Sequence, residues 1–397
     1  MQGGSNLAVP PLPPVTLIGF PFRATGRGEH IRSIWRALAA AGIVAGIHNI
    51  DGPGENDSSF AAFEPNLVDG LAPGIRLFHL NGDEVDAALA TIEQRQPGAF
   101  RDGNNIVFPA WELPRYPAAW ARSLERFDEV WTASAFVENS VAAAVSVPVL
   151  RIPNACEPHL ETPLGREHFG LPGGYLVLFV FDAWSYPARK NPFAAVETFR
   201  QVLLLRPQSG IHLVLKLSHS EHVPGLVDSL RQAVSGIAEH VTIIDATVAL
   251  DEARSLACDC FLSLHRSEGF GRGPAEAMFF GKPVVATGWS GNMEYMNAGV
   301  SFPVGYQLIP VAEGDYPEWQ EQVWAEPDIA AAAAAMLTLI DDPALREEIG
   351  ARARAHMQEN FSDLVLGARY RDRFIAILEQ GNLAAQALAP DLPLPNA

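Results

Sequence analysis

Cysteine is scarce in the sequence, which has only Cys156, Cys258 and Cys260 among its 397 residues. An odd number of cysteines leaves at least one unpaired, and none of the spacings matches a zinc-ligand pattern. This excludes a disulfide framework of the kind that holds small secreted domains together, and we expect three reduced, buried thiols.

Positive charge is also in short supply, because 28 lysines and arginines face 46 acidic residues and give a formal net charge of −18. Sequence-independent binding to nucleic acid needs a basic surface that displaces counterions, so we expect no nucleic-acid partner. Nor is there a block of lysines and arginines that would attach a peripheral enzyme to anionic lipid. A basic pocket confined to one site is compatible with this composition.

Long apolar runs are absent as well, and no stretch reaches the length of a membrane span. Residues 1–14 have neither the basic start nor the apolar core of a signal peptide, so we expect a cytoplasmic protein. Proline- and glycine-rich composition predicts a disordered N terminus at 1–14, and we predict a flexible tail at 381–397.

The rest of the chain alternates apolar strand patterns with helical patterns in two runs. Because 397 residues exceed one ordinary core, we predict an N-terminal domain at 15–160 and a C-terminal domain at 161–360. Buried strands that alternate with helices predict parallel sheets covered on both faces. The predicted fold class is therefore α/β, with two doubly wound, Rossmann-like domains facing across a cleft.

The most informative stretch, Cys260 to Gly288, predicts a strand, a glycine-rich turn, a short helix and a second strand. Gly273 and Pro274 suit the beginning of the helix, and Gly281 suits its end. The first helical turn would direct backbone N–H groups at the loop 269–273, which makes that loop a favourable site for an anion.

Two carboxylates flank this loop, Glu268 before it and Glu276 inside the helix, with seven residues between them. A carboxylate cannot bind phosphate, but it accepts hydrogen bonds from sugar hydroxyls, as the acidic residue of a dinucleotide-binding fold does with a ribose. Glu276 also occupies the third helical position, where a carboxylate often interacts with the helix N terminus. Both roles stay open for Glu276.

Arg189 and Lys190 immediately precede another predicted helix, with Asn191 as its cap and Pro192 as its first residue. Cations at a helix N terminus oppose the helix dipole, which is unfavourable unless an anion lies between them. The pattern therefore indicates a phosphate site at this turn, and a solvent-exposed basic turn is the alternative.

Polar residues near strand ends in the first half are further candidates. His79 and Asn81 lie where a predicted strand ends, and open α/β sheets bind ligands at the carboxyl ends of their strands. A structural role is the alternative for His79. His219 and His222 have the spacing of metal ligands but lack a third ligand, so we predict no metal site.

The string from Ser263 to Thr287, with Glu268 and Glu276 spaced as Glu-x7-Glu around a Gly-Phe-Gly turn, resembles the retaining family-4 glycosyltransferases of the GT-B fold. The resemblance implies that Glu268 faces the donor sugar and that Glu276 holds the nucleotide ribose. It further implies that the amides of Phe270 and Gly271 help to hold the donor sugar.

The same resemblance implies that Lys190 contacts the donor diphosphate. Relatives carry an arginine several residues earlier, for which Ser185 or Arg189 is the substitute here. The donor-binding set that we predict comprises Ser185, Arg189, Lys190, Lys216, His265, Arg266, Gly269, Phe270, Gly271 and Glu276.

In this family the glycine loop after the first strand borders the acceptor and the donor phosphates, and a tight turn is the alternative for these glycines. The chain is also implied to return to the first domain through a helix at 361–380. The predicted acceptor-side residues are Gly26, Arg27, Gly28, His79, Asn81 and Trp111.

Trp111-Glu112-Leu-Pro, followed by Pro117-x-x-Trp120, resembles a bacterial branch of the family. Many relatives carry at this strand end a histidine that faces the reacting sugar, whereas this chain has Trp111 and Glu112. Glu112 is the candidate to replace that histidine. The predicted catalytic residues are thus Glu268, Lys190 and Glu112, and we expect alanine at Glu268 or Lys190 to abolish transfer and to leave the fold intact.

The resemblance implies transfer of a hexose with retention, from GDP-mannose first and UDP-hexoses second, to a saccharide or lipid-linked saccharide in bacterial polysaccharide synthesis. Fixed cations can stabilise the leaving diphosphate, so we expect no metal and no cofactor besides the nucleotide-sugar donor. Peripheral membrane contact is expected only through a lipid-linked acceptor, and the oligomeric state is open.

Two other functional classes fit two doubly wound domains. A nicotinamide-dependent oxidoreductase requires Gly-x-Gly-x-x-Gly after the first strand and an acidic residue about 20 residues later, and the loop from Phe20 to Glu29 lacks that spacing. A non-catalytic protein that binds sugars or nucleotides would share the cleft, but such a protein is normally exported. Hydrolysis of nucleotide sugars separates a transferase from this last class.

Overall fold

The computed structural model describes residues 12–23, 25–52, 63–160, 164–207, 210–246 and 258–388. Three predicted features lie outside these ranges. They are residues 1–11 of the predicted N-terminal segment, residues 251–257, for which the sequence predicts a short helix, and residues 389–397 of the predicted tail.

The first half folds around a parallel six-stranded sheet. Its strands are β1 (Val15–Gly19), β2 (Ala45–Asn49), β3 (Ile75–Phe78), β4 (Asn104–Val107), β5 (Glu129–Thr132) and β6 (Val149–Arg151), in the order β2-β1-β3-β4-β5-β6. The helices between them are α1 (Gly26–Ala40), α2 (Val85–Arg95), α3 (Ala118–Leu124) and α4 (Ala135–Ala142), with a 3-10 turn at Ala99–Asp102. Because β1 is paired on both sides and fully buried, its sequence is mostly apolar, with Thr16 as its one polar residue, rather than alternating.

The second half repeats this architecture with a second parallel six-stranded sheet. Its strands are β7 (Tyr175–Asp182), β8 (Ile211–Ser218), β9 (Val241–Asp245), β10 (Cys260–Ser263), β11 (Val284–Thr287) and β12 (Phe302–Val304), in the order β12-β11-β10-β7-β8-β9. Its helices are α5 (Pro187–Lys190), α6 (Pro192–Leu205), α7 (Leu226–Ala233), α8 (Arg272–Phe279), α9 (Ile329–Asp341) and α10 (Pro343–Phe361), and 3-10 turns lie at Ala183–Ser185, Ser220–His222, Ala238–His240 and Gly291–Glu294. The two sheets confirm the predicted α/β fold class with two doubly wound, Rossmann-like halves.

Side-chain caps mark where several helices begin. Thr25 accepts a hydrogen bond from the Gly28 amide at the start of α1, and Ser134 accepts one from Val137 at the start of α4. Asp328 and Asp342 cap α9 and α10 in the same way. These residues satisfy N–H groups that the first helical turn leaves without partners.

A β-hairpin connects the second sheet to the first half of the molecule. Strands β13 (Tyr306–Pro310) and β14 (Val323–Pro327) pair antiparallel, and the segment 311–322 lies between them. Tyr316 and Trp324 are buried in the same apolar cluster as Trp111 from the first half. The hairpin therefore extends the core of the first half with residues from far along the chain.

The last helix, α11 (Asp363–Leu388), packs against α1. Tyr370 and Phe374 stack on Trp131 at ring-centroid distances of 5.8 Å, and a side chain at Gly367 would collide with the Ala37 carbonyl. The chain thus returns to the first half, and this helix extends past residue 380, where the sequence analysis placed the tail. Alanine and leucine in residues 383–388 favour the extra helical turns.

The three cysteines are free and buried, as expected from the sequence. Burial raises the pKa of both Cys156 and Cys258 to about 12, which keeps these thiols protonated. Among the helices formed by the described residues, none combines the length and the apolar composition needed to cross a membrane.

Candidate active site

The carboxyl ends of the two sheets border a shared cavity of about 980 Å³. The first half contributes loops that follow β1, β3 and β4, and the second half contributes loops that follow β7 and β10. This is where open α/β sheets bind ligands. The lining includes five basic and five acidic residues, namely Arg23, Arg27, Arg189, Lys190, Arg272, Asp83, Glu84, Glu112, Asp182 and Glu268.

Glu268 is held in the cavity wall by two cations, and we call Glu268, Arg189 and Lys190 the Glu268 cluster. Lys190 Nζ lies 2.5 Å from Glu268 Oε1, and Arg189 Nη1 lies 3.1 Å from Oε2. The side chain of Glu268 is 10% exposed and that of Arg189 only 4%. Arg189 and Lys190 precede the helix α6, where cations require an anion nearby. The Glu268 carboxylate supplies that anion.

Burial and neighbouring charges act in opposite directions on the pKa values of this cluster. Burial raises the pKa of Glu268, but Lys190 and Arg189 together outweigh it and hold that pKa well below its usual range. Burial lowers the pKa of Lys190, and Glu268 opposes this shift. Glu268 therefore remains a carboxylate across the neutral range, fixed beside two cation-bearing side chains.

The turn that carries Arg189 and Lys190 is conformationally unusual at both ends. Tyr186 has φ 64° and ψ 101°, and Asn191 has φ 57° and ψ 52°, so two non-glycine residues adopt positive φ around the four-residue helix α5. Such conformations are costly and persist only where the surroundings enforce them. The Arg189 guanidinium also donates to the Ser267 carbonyl at 2.8 Å, which ties the turn to the loop before Glu268.

The glycine loop lies against the first half of the protein. A side chain at Gly269 would approach the Trp111 carbonyl to 2.7 Å, and Ser134 Oγ donates to the Gly269 carbonyl at 2.6 Å. Gly271, with φ 84°, is the residue before α8, and a side chain there would meet the Tyr295 hydroxyl at 2.9 Å. Close approach of the backbone explains two of the glycines, and the first turn of α8 points at the cavity.

Glu112 follows β4 and lines the cavity from the opposite half. Its carboxylate accepts a hydrogen bond from the Tyr316 hydroxyl, and its Oε1 lies 4.0 Å from Arg189 Nη2. Its backbone carbonyl accepts a hydrogen bond from Ser267 Oγ. The structure thus brings all three predicted catalytic residues, Glu268, Lys190 and Glu112, into one network of contacts.

Four of the predicted donor-binding residues lie outside the cavity lining that the described residues form, namely Lys216, His265, Arg266 and Glu276. Glu276 Oε1 is 3.3 Å from Nη2 of Arg272, which does line the cavity. Lys216 in β8 is 3% exposed and donates to Ser218 Oγ. Ser185, Phe270 and Gly271 do line the cavity.

His265 and Arg266 support the Glu268 cluster from behind. His265 is fully buried between Ser263 Oγ at 2.9 Å and Asn292 Oδ1 at 3.0 Å, and burial lowers its pKa to about 4. The Arg266 amide donates to the Arg189 carbonyl at 2.7 Å. Arg266 therefore helps to position the turn 186–191, and neither residue belongs to the cavity lining formed by the described residues.

Most of the predicted residues in the first half are at the cavity. Arg27 forms an ion pair with Glu84, which also lines the cavity. Gly28 instead lies inside α1, where a side chain would collide with the Arg23 carbonyl. The predicted acceptor-side residues that line the cavity are Gly26, Arg27, Asn81 and Trp111.

His79 is buried behind His30, which the sequence analysis missed. The two rings are 4.8 Å apart and nearly perpendicular, with 3.4 Å between their Nδ1 atoms. Burial lowers the pKa of His79 to about 3, so that imidazole stays neutral. Of the two histidines, His30 lines the cavity. Its position just after the glycine loop 26–28 was the sequence feature that could have identified it.

Other cavity residues also escaped sequence analysis. Arg272 follows the glycines 269 and 271, and its positive charge could have indicated a phosphate-binding residue. Tyr186 and Tyr316 belong to no sequence motif that would have predicted them. His219 Nδ1 lies 3.0 Å from Asp182 Oδ1 at the cavity edge. Across the described part of the chain, no three His, Cys, Asp or Glu side chains are grouped to hold a metal ion.

The sequence from residue 235 to residue 356 matches the model of the family Glycosyl transferases group 1. This segment includes β10, the glycine loop and Glu268. A search of curated protein sequences finds no significant match.

Solved structures share the fold at low sequence identity. HepE of Anabaena in complex with UDP has 15% identity and a TM-score of 0.64, over 91% of this chain and 100% of that one. The sucrose-phosphate synthase of Thermosynechococcus elongatus has 17% identity and a TM-score of 0.63, over 92% and 99% of the two chains. TarM of S. aureus has 12% identity and a TM-score of 0.55. The match covers 76% of this chain and 55% of the TarM chain. Residues 235–356 thus match a glycosyltransferase family, and the two halves together have the two-domain GT-B fold of these solved structures.

Proposed function

We propose that the protein is a retaining glycosyltransferase that transfers a hexose from a nucleotide sugar to a saccharide acceptor in bacterial polysaccharide synthesis. The observation that carries the proposal is the Glu268 cluster, which lines the shared cavity beside the glycine loop. A carboxylate suits the hydroxyls of a donor sugar, and cations with a helix N terminus suit its diphosphate. The family match over residues 235–356 supports the same chemistry.

UDP-hexose and GDP-mannose are the two candidate donors. The resemblance of motifs favours GDP-mannose, whereas the solved structures of HepE contain UDP and UDP-glucose and favour a UDP-hexose. We place UDP-hexose first, because ligands bound by proteins of the same fold are more direct support than a motif.

Cleavage of the sugar–phosphate bond develops negative charge on the departing diphosphate. In this proposal Lys190, Arg189 and the first turn of α8 stabilise that charge, and each well-placed donor can contribute about 3 kcal/mol. Lys190 and Arg189 must then share their interactions between Glu268 and the phosphate oxygens. Closure of the cavity around the donor excludes water that would hydrolyse it.

Retention requires the acceptor hydroxyl to attack the anomeric carbon from the face that the diphosphate leaves. The new carbon–oxygen bond forms while the sugar–phosphate bond breaks and its electron pair goes to the phosphate oxygen, which also takes the hydroxyl proton. We propose that Glu112 accepts a hydrogen bond from the acceptor hydroxyl before transfer. Glu268 positions the donor sugar in this scheme.

A thermal-shift screen with UDP, GDP, ADP and their sugars tests the proposal, followed by assays of donor turnover. A ligand at about 100 times its Kd stabilises the native state by about 2.7 kcal/mol, which raises the melting temperature. We expect Lys190→Ala to lose the shift and Lys282→Ala to keep it, because Lys282 lies outside the cavity lining formed by the described residues. Absence of a shift with every nucleotide would refute the proposal, and binding without donor turnover would favour a non-catalytic binding protein.

A further inference from the structure

The cavity lining combines two sets of side chains of different chemistry. One set comprises the glycine loop with Arg189, Lys190 and Arg272. The other set combines aromatic rings with carboxylates, from Trp120, Tyr186, Tyr316, Asp83, Glu84 and Glu112, and it meets the first set where Arg189 lies 4.0 Å from Glu112. We call this second set the aromatic–acidic wall.

Tyr316 reaches this wall because the segment 311–322 is anchored to the first half. Gln322 Nε2 donates to the Arg115 carbonyl at 2.7 Å, and Gln322 Oε1 accepts from the Arg115 amide at 3.2 Å. Gln322 is 5% exposed, so this reciprocal pair is well protected. The Tyr316 hydroxyl then donates to Glu112, which fixes the direction of that carboxylate.

Tyr186 provides the exposed ring of the wall. Its side chain is 39% exposed and lines the cavity, and its ring lies 4.8 Å from that of Tyr316 in an edge-to-face arrangement. Its positive φ is a costly conformation for a tyrosine, and such strain is concentrated at ligand sites. Burial, Glu112 and Asp83 raise the pKa of Tyr186, so the ring faces the cavity uncharged.

The charges of the aromatic–acidic wall restrict what can bind there. A diphosphate would meet three carboxylates, Asp83, Glu84 and Glu112. Arg27 is paired with Glu84, and Arg189, which lies 4.0 Å from Glu112, is already paired with Glu268 at 3.1 Å. A neutral polyol suits the same groups, because carboxylates accept hydrogen bonds from hydroxyls and an aromatic face covers the apolar side of a sugar ring.

We infer that Tyr186, supported by Tyr316 and Glu112, forms the subsite for the acceptor saccharide. A pyranose ring packs on the face of Tyr186, and one of its hydroxyls donates to Glu112. This inference rests on the proposed transferase function, and it adds the residues that recognise the acceptor. Tyr316 is a positioning residue, because it acts through Glu112.

Titration of maltose, cellobiose and α-1,2-mannobiose into protein saturated with UDP or GDP tests the subsite. Glycine accepts positive φ, so Tyr186→Gly removes the ring without new backbone strain, whereas Tyr186→Phe keeps the ring. We expect Tyr186→Gly to weaken disaccharide binding by about tenfold or more, and Tyr186→Phe to stay within about threefold of the wild type. Tyr306→Ala is the matched control, because Tyr306 is 40% exposed and lies outside the cavity lining formed by the described residues.

Nucleotide affinity in every variant separates loss of the subsite from loss of the fold. Disaccharide binding that Tyr186→Gly leaves unchanged, or a wild type that binds nucleotide and none of the three disaccharides, overturns the subsite. A variant that loses nucleotide rather than disaccharide overturns it too, because Tyr186 would then belong to the donor site. If the wild type binds disaccharide through Tyr186 but no nucleotide, the subsite stands and the proposed transferase fails.

Discussion

The protein contains two buried ionic clusters that are built from the same kinds of side chain. In the Glu268 cluster, one carboxylate is held by Arg189 and Lys190, and all three residues line the cavity. In a second cluster, Glu29 binds Arg32 at 2.9 Å, Arg36 at 2.6 Å and Arg272 at 3.6 Å. We call these four residues the Glu29 cluster.

The two clusters differ in what they connect. The Glu268 cluster joins two loops of the second half, whereas the Glu29 cluster joins α1 of the first half to the first residue of α8. Arg36 also lies 3.9 Å from Asp363 at the start of α11. The Glu29 cluster thus connects the two halves of the protein. A buried ionic cluster is therefore not by itself evidence of a catalytic site.

The largest expected effect is that of Glu268→Ala on both turnover and stability. Turnover of UDP-glucose and GDP-mannose should fall by about 10³-fold or more, since the donor sugar loses its positioning group. The free energy of unfolding should fall by about 3–5 kcal/mol, because Arg189 and Lys190 are left buried without their carboxylate. The sequence analysis expected this substitution to leave the fold intact. Because the Glu268 cluster is buried, we now expect it to destabilise the fold as well.

Glu268→Gln, which keeps the shape of the side chain, is the companion variant for this test. Donor turnover and urea unfolding should be measured on both proteins. If Glu268→Ala retains turnover within about tenfold of the wild type while folded, the Glu268 cluster is only structural and no longer contrasts with the Glu29 cluster.

Lys190→Ala should lower turnover by about 10²- to 10³-fold, because the leaving diphosphate loses one fixed cation. Its effect on stability should be smaller than that of Glu268→Ala, since Arg189 remains 3.1 Å from Glu268. Steady-state kinetics with Lys282→Ala as the control would measure this. Equal turnover in the two lysine variants would remove Lys190 from the proposed site.

Glu29→Gln should chiefly affect stability, with a loss of about 3 kcal/mol, because three guanidinium groups lose their shared carboxylate. Turnover measured well below the unfolding transition should stay within about tenfold of the wild type. Asp228→Asn is a suitable control, since its pair with Arg231 is exposed and worth about 1 kcal/mol or less. A folded Glu29→Gln protein as inactive as Glu268→Ala would show that both clusters serve the reaction.

The sequence predicted the residues of the Glu268 cluster but not the Glu29 cluster. Glu268, Lys190 and the glycine loop follow local rules, because strand patterns, glycine positions and the helix dipole each involve neighbouring residues. The dipole argument predicted a phosphate beside Lys190, and the anion that the structure places there is the Glu268 carboxylate. It could not identify that anion as a side chain 78 residues away, since only tertiary structure brings Glu268 there.

The hairpin at Tyr306–Pro327 shows where periodicity gives no signal. Four of the five residues of β13 are exposed, and the strand has no alternating apolar pattern, so its sequence resembles a loop. Tyr316 contacts Glu112 across 204 residues of sequence. For Glu276 the sequence was compatible with two roles, a hydrogen bond to a ribose and an interaction with the helix N terminus. The structure shows a different contact, an ion pair with Arg272.

The smallest effect that we predict is a pH dependence that belongs to the Glu268 cluster. The folded-state pKa of Glu268 lies below the ordinary value of about 4.3, so the folded protein binds fewer protons at this group than the unfolded chain does in acid. Its contribution to stability is therefore fully present above that value and is lost as the pH falls toward the folded-state pKa.

The difference in unfolding free energy between wild type and Glu268→Gln isolates this contribution, because the other 45 acidic residues titrate in both proteins. The difference should be constant above about pH 5 and should shrink steadily below it. Asp341→Asn provides the comparison, since Asp341 is paired with Arg206 in an exposed position where solvent screens the interaction. A difference that grows on acidification would mean that burial, rather than the two cations, controls the protonation of Glu268, and the Glu268 cluster could not hold a fixed negative charge for the donor sugar.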